Sequence, residues 1–158
     1  MPPHLWQMRY LLLLLLPVAL LLYIRLSPMS VERWHVDPST AERPRTPNAY
    51  LLRDSDGDAP ALMLQAPPET VVDALNRVMA SAPRVSRLAG RAEDGLVTFV
   101  QRSRIMGYPD AISIRLSPEG EGTRVEVFSR SRFGYGDAGV NAARVTRWME
   151  RLEAALAP

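Results

Sequence analysis

The run Tyr10–Ile24, YLLLLLLPVALLLYI, places fifteen residues in succession without a charged side chain, and nothing else in the chain constrains its fate as strongly. As a helix it spans about 22 Å, short of the ~30 Å hydrocarbon core of a bilayer. Extended over residues 5–26 it reaches about 33 Å, with Arg9 and Arg25 snorkelling to the two interfaces and Trp6, Tyr10 and Tyr23 near its ends. Eleven Leu, Val or Ile in the run, at about −0.5 kcal/mol each, favour insertion by roughly 5 kcal/mol. A cleaved signal peptide, whose apolar region is about 7–15 residues, is the rival. Arg25-Leu26-Ser27-Pro28 follows with no A-x-A-like step, so a retained transmembrane anchor is the expectation.

This divides the chain into an anchor over residues 1–27, a Pro/Arg-rich tether over 28–48 and one domain over 49–158. The expected location is the inner (cytoplasmic) membrane of a bacterium, crossed once. Arg25, Arg33, Arg43 and Arg45 after the run, against Arg9, the α-amino group and His4 before it, lean towards a cytoplasmic domain by the positive-inside rule. The layout, a short basic start followed by an apolar run and a folded body, resembles a signal anchor with an exported, periplasmic domain. The latter is the reading adopted.

Beyond Arg25 the chain carries 17 Arg and 17 Asp plus Glu, with no Lys. A domain without a basic excess is not expected to bind nucleic acid. Cys is absent, which excludes disulfides, thiolate nucleophiles and thiolate-bound zinc. The only histidines are His4 and His35, outside the expected domain, so no metal, no cofactor and no Ser-His-Asp chemistry is expected.

Tyr50–Leu52 and Ala61–Leu64 flank the turn Asp54-Ser55-Asp56-Gly57-Asp58 and read as a hairpin. A short strand is also conceivable at Val31–Val36. Pro67-Pro68-Glu69 opens a helix with apolar residues from Val71 to Ala82, ended by Pro83. Four strands follow, Arg84–Gly90, Leu96–Ile105, Ala111–Ser117 and Thr123–Phe133, with short turns between them. Ile112, Ile114 and Leu116 alternate with Ser113 and Arg115, giving one buried face and one wet or differently covered face. A last helix, Ala138–Leu156, is capped by Asp137 and carries Val145, Trp148, Met149, Leu152 and Leu156 as its apolar stripe. The fold class is therefore α+β: an antiparallel sheet of about four to six strands with two helices on one face, preceded by the transmembrane helix.

Gly134-Tyr135-Gly136-Asp137-Ala138-Gly139 matches a dinucleotide fingerprint, but no strand follows its helix and Asp137 sits where a pyrophosphate would bind. Asp54, Asp56 and Asp58 imitate a calcium loop, yet Ala59 and Gln65 replace its Gly and Glu. More informative are the polar residues at strand ends and at the last helix: Ser103, Arg104, Asp110, Ser129, Ser131, Arg132, Asp137, Asn141 and Arg144. Two readings stand: a salt-bridged network tying turns to the helix start, or an anion- or headgroup-binding arginine cluster. Arg104 and Arg132 are expected to meet Asp110 and Asp137.

Ser103-Arg104, Gly107-Tyr108-Pro109-Asp110, the I-x-I-R-L strand and Ser129-Arg130-Ser131-Arg132-Phe133-Gly134-Tyr135-Gly136-Asp137-Ala138-Gly139-Val140-Asn141-x-x-Arg144 resemble the bacterial and plastid domain of unknown function family 1499. The resemblance runs from Leu62 to Leu156 and implies no activity or cofactor. Members often carry a second Asp after the first; here it is Ala111. Ala66–Leu75 also resembles the first-helix entry of helix-grip lipid-binding domains. The expected function is a non-catalytic binding or accessory module at a membrane surface. The alternative is a small apolar-ligand or lipid carrier with a pocket between the sheet and the C-terminal helix. The expected partners are the bilayer, through residues 5–26, and a membrane-protein neighbour or a lipid ligand.

Overall fold

The computed structural model describes residues 3–157, with side chains from Leu13 onward apart from Leu14. Helix α1 is Pro3–Leu26, with Pro17 inside it. Helix α2 is the single turn Val31–Trp34; this corrects the strand expected there, and Trp34 is buried by the turn. Strands β1, Ala49–Leu52, and β2, Leu62–Leu64, precede helix α3, Pro68–Ser81. Strands β3, Val85–Arg91, β4, Leu96–Arg102, β5, Pro109–Glu119, and β6, Gly122–Ser131, are followed by helix α4, Val140–Leu156.

The six strands form one antiparallel sheet in the order β1-β6-β5-β4-β3, with β2 also on β6. The expected hairpin between β1 and β2 does not form. Both strands pair with the same edge of β6, β1 with residues 127–130 and β2 with 123–125. The long β6 edge can satisfy both short strands in turn, and the Asp-rich turn merely carries the chain between them. Asp58 accepts the Leu51 N–H there and Asp54 accepts that of Ala61.

Helices α3 and α4 share one face of the sheet. Val71, Leu75 and Val78 of α3, and Val145, Trp148 and Leu152 of α4, pack on Val97, Phe99, Ile112, Ile114, Val125 and Val127. Phe99 and Trp148 meet edge to face at 6.5 Å, the orientation favoured by their quadrupoles. The space beneath α4 is thus filled by side chains.

The stretch expected as an extended tether is packed across the other face. His35 Nδ1 and Thr98 Oγ1 share a hydrogen bond of 2.8 Å, and Arg115 Nη1 donates to Asp37 at 2.5 Å. Arg53 donates to the carbonyls of Pro38 and Ala41. Gly90, at φ +71°, permits the approach, because a Cβ there would lie 2.2 Å from the Leu96 carbonyl oxygen and 2.8 Å from the His35 ring.

The last turn of α1 is docked as well. Ile24 and Ser27 are buried, Arg25 donates to the Ile105 carbonyl, Arg102 donates to that of Ser27, and Tyr23 contacts Phe133. Trp6, Arg9 and Tyr10, the expected outer-interface residues, lie outside the described side chains. Among the described residues, no helix is long and apolar enough to cross a membrane.

Candidate functional site

On the helix side of the sheet the apolar rows turn polar at one end. Along β5 the inward positions read Asp110, Ile112, Ile114 and Leu116; along β6 they read Val125, Val127, Ser129 and Ser131. Register places Gln101, Asp110 and Ser131 side by side on β4, β5 and β6. The sequence places β5 between Ala111 and Ser117, but two further residues pair at each end, which is what brings Asp110 into the ladder.

The start of α4 descends onto this polar patch. Gly139 occupies the N-cap at φ +79°, preceded by Ala138 at φ +52°, and this left-handed pair turns the chain into the helix. The helix therefore begins at Val140 and not at Ala138. Asp137 still answers two of its start N–H groups, accepting from Gly139 at 3.0 Å and Asn141 at 2.8 Å. Asn141 is thus the second helical residue, where the backbone N–H has no partner within the helix.

Asn141 has no exposed surface. Its amide nitrogen donates to the Asn48 carbonyl, Ser131 Oγ and Asp137, and its oxygen accepts from Ser129 and Arg144. Arg144 donates in addition to Gln101, Ser129 and Asp110, the last at 2.5 Å. Burial raises the Asp110 carboxyl above its ordinary value; Arg144 opposes this and the nearby Asp137 charge adds to it. Asn141, bonded at once to Asp137 and to Arg144, separates the two carboxylates. They do not form a shared-proton pair.

Such a cluster has little left to offer a substrate. Its donors and acceptors answer one another, and Asp110, Ser129, Asn141 and Arg144 are all buried. Chemically it welds the head of α4 to the sheet.

Six of the nine residues singled out in the sequence meet here: Asp110, Ser129, Ser131, Asp137, Asn141 and Arg144. The other three do not. Ser103 closes the β4–β5 turn by accepting the Tyr108 N–H. Arg104 is exposed on that turn and meets neither carboxylate. Arg132 lies on the opposite face, with Met29 and Phe133 as its contacts. The expected pairing is corrected: Arg144 is the partner of Asp110. Sequence reasoning misses Gln101, because a strand end gives no pairing information, and Asn48, because it sits in the supposed tether.

Across the sheet, alternation turns Arg130 and Arg132 towards the packed N-terminal segment. The Arg130 guanidinium lies over Trp34 at 5.0 Å and Phe128 at 4.6 Å, and Arg33 covers Trp34 at 5.4 Å. Arg33, Trp34, Arg130 and Arg132, with Thr46 and Asn48, frame a cavity of about 290 Å³. Nearby, His35, Thr98 and Ser113 form a hydrogen-bonded chain, but Thr98 and Ser113 are wholly buried, so no nucleophile is presented. A larger groove of about 630 Å³ between α3 and the end of β5 is lined by Glu69, Asp73, Glu93 and Asp94. A groove of about 310 Å³ beside α4 is lined by Tyr50, Leu62 and Met149, at the small end of ligand pockets. Among the described residues no group of three or more His, Cys, Asp or Glu is placed to hold a metal ion.

The profile of the family described as "Protein of unknown function (DUF1499)" matches residues 37–152, so the match includes the end of the supposed tether. No curated protein matches the chain. Among solved structures, the chain is similar to protein MLL2253 from Mesorhizobium loti, at 14% identity and a TM-score of 0.45, over 61% of this chain and 94% of that one. It is also similar to TTHA0849 from Thermus thermophilus, at 16% identity and a TM-score of 0.31, over 68% and 91%.

Proposed function

From the premise that this chain belongs to the DUF1499 family, which brings no activity with it, we propose that it is a membrane-anchored, non-catalytic binding or accessory module. Its anchor is α1, through residues 5–26, and its body sits against the inner (cytoplasmic) membrane on the exported side. One observation carries this reading. Leu13, Leu15, Leu16, Val18, Leu20 and Leu22 are each at least half exposed on α1, while Ile24 and Ser27 just beyond are buried in the domain. A row of bare leucines on a helix whose end is fixed demands an apolar surrounding, and the docked end holds the body close to it. Ile105 and Tyr135, each more than three-quarters exposed, lie on the two loops beside that end and suit the interface.

The self-satisfied polar cluster weighs against catalysis there, since catalysis needs a reachable group with an altered pKa. For the carrier reading the structure offers only the groove of about 310 Å³ between β1, β2 and α4 among the described residues, at the small end of ligand pockets. The test is fractionation of the full chain at native expression. It is expected in the membrane pellet after washing with high salt and alkaline carbonate; recovery in the wash contradicts the reading. Crosslinking in those membranes is expected to trap a protein neighbour or a lipid.

A further inference from the structure

We propose that the cavity framed by Arg33, Trp34, Arg130 and Arg132 is a binding site for a phosphate-bearing anion. Three arginines line it together with Trp34, Thr46 and Asn48, and no Asp or Glu does. Among the described residues, none of the ion pairs involves any of the three arginines. The buried Nε of Arg130 has no hydrogen-bond partner, although one terminal nitrogen donates to the Trp34 carbonyl at 2.8 Å. A buried N–H without an acceptor is uncommon and costly. Burial, with Arg33 adding to it, pulls the Arg130 guanidinium down to about 10, so at neutral pH it remains a desolvated cation with no carboxylate opposite.

The ligand class follows from charge and shape. Three planar forks suit the several oxygens and double charge of a phosphate monoester better than a lone carboxylate. About 290 Å³ accommodates a headgroup and not acyl chains. Two contacts link the cavity to the anchor: Arg132 stacks on Phe133 at 5.2 Å, and Phe133 contacts Tyr23 in the last turn of α1. The anion can therefore belong to a lipid headgroup or to a soluble phosphate. The lipid source rests on the membrane reading above; the soluble source does not.

The test uses the full chain in neutral-detergent micelles, with two probes. Inorganic phosphate is titrated calorimetrically at constant ionic strength, and phosphatidic acid against phosphatidylcholine is scored by retention in native mass spectrometry. Binding is expected with at least one probe, and the responding probe names the source. Arg130→Met is expected to weaken it about thirtyfold or more, and the exposed Arg33→Met a few-fold, with near-ultraviolet circular dichroism confirming the fold. Should Arg130→Met not fold, Arg33→Met alone decides. Absence of binding to both probes, or binding undiminished in the variants that fold, overturns the proposal. Fractionation of the source membranes before solubilisation separates the two readings: a chain that stays in the pellet but, once solubilised, binds neither probe loses only the pocket.

Discussion

Ser129 and Ser131 point to one side of the sheet, and Arg130 and, just past the end of β6, Arg132 lie on the other. On the helix side, Asp110, Gln101, Asn141 and Arg144 join the serines in a set whose hydrogen bonds close on themselves. On the opposite side, Arg130 keeps a buried Nε without an acceptor and stacks on aromatic rings instead of meeting a carboxylate. Four consecutive residues thus serve two polar environments of opposite character. The difference teaches that a polar cluster is read by its remainder. One that consumes its own donors stabilises, and one that leaves positive charge over is equipped to bind.

The contrast breaks most visibly at Arg144. Replacing it by Met leaves Asp110 buried without its cation, so R144M is expected to lose about 3–5 kcal/mol in denaturant unfolding of the full chain in micelles. A loss below about 1 kcal/mol would remove the weld from the account. Next is Asp137, which accepts two backbone N–H groups and the Asn141 amide; D137A is expected to lose about 1–2 kcal/mol.

A smaller effect is set by pH. Because burial raises the Asp110 carboxyl, the folded chain takes up that proton at a higher pH than the unfolded chain, whose value is about 3.9. This contribution is complete below the ordinary value and is lost as pH rises through the folded one. Wild type should therefore gain on D110N as pH falls from 7 towards about 4. A gap that narrows would reverse the assigned direction. Least of all, R130M is expected to shift stability by less than about 1 kcal/mol, because it removes a buried charge along with its stacking. Equal losses for R130M and R144M would erase the distinction between the faces.

Much of this is readable in the chain. Alternation in Ile112–Leu116 and Val125–Val127 identifies the sheet face that meets the helices, and the spacing from Val71 to Met79 identifies α3. Six members of the helix-side cluster stand out as polar residues at strand ends and at the last helix. Partnership does not, because period-2 patterning says which face a side chain takes but not which helix residue descends on it. For that reason Arg144 is not legible as the partner of Asp110.

The packed N-terminal segment is hidden by its own composition. Pro38, Pro44, Pro47 and the arginines around them look like a linker, yet proline restricts the chain without preventing it from docking. The signal lies in the sheet. Val100, Ala111 and Phe128 are apolar residues on the face opposite the helices, and such a face needs a cover, which Trp34 and its neighbours provide.

The central claim, a body held at a bilayer by α1, is most directly tested by cysteine accessibility, since the natural chain has no Cys. In intact membranes the L16C thiol should resist a membrane-impermeant maleimide until detergent is added, while the S39C thiol reacts from the exported side without detergent. Equal labelling of both in the absence of detergent would contradict the account.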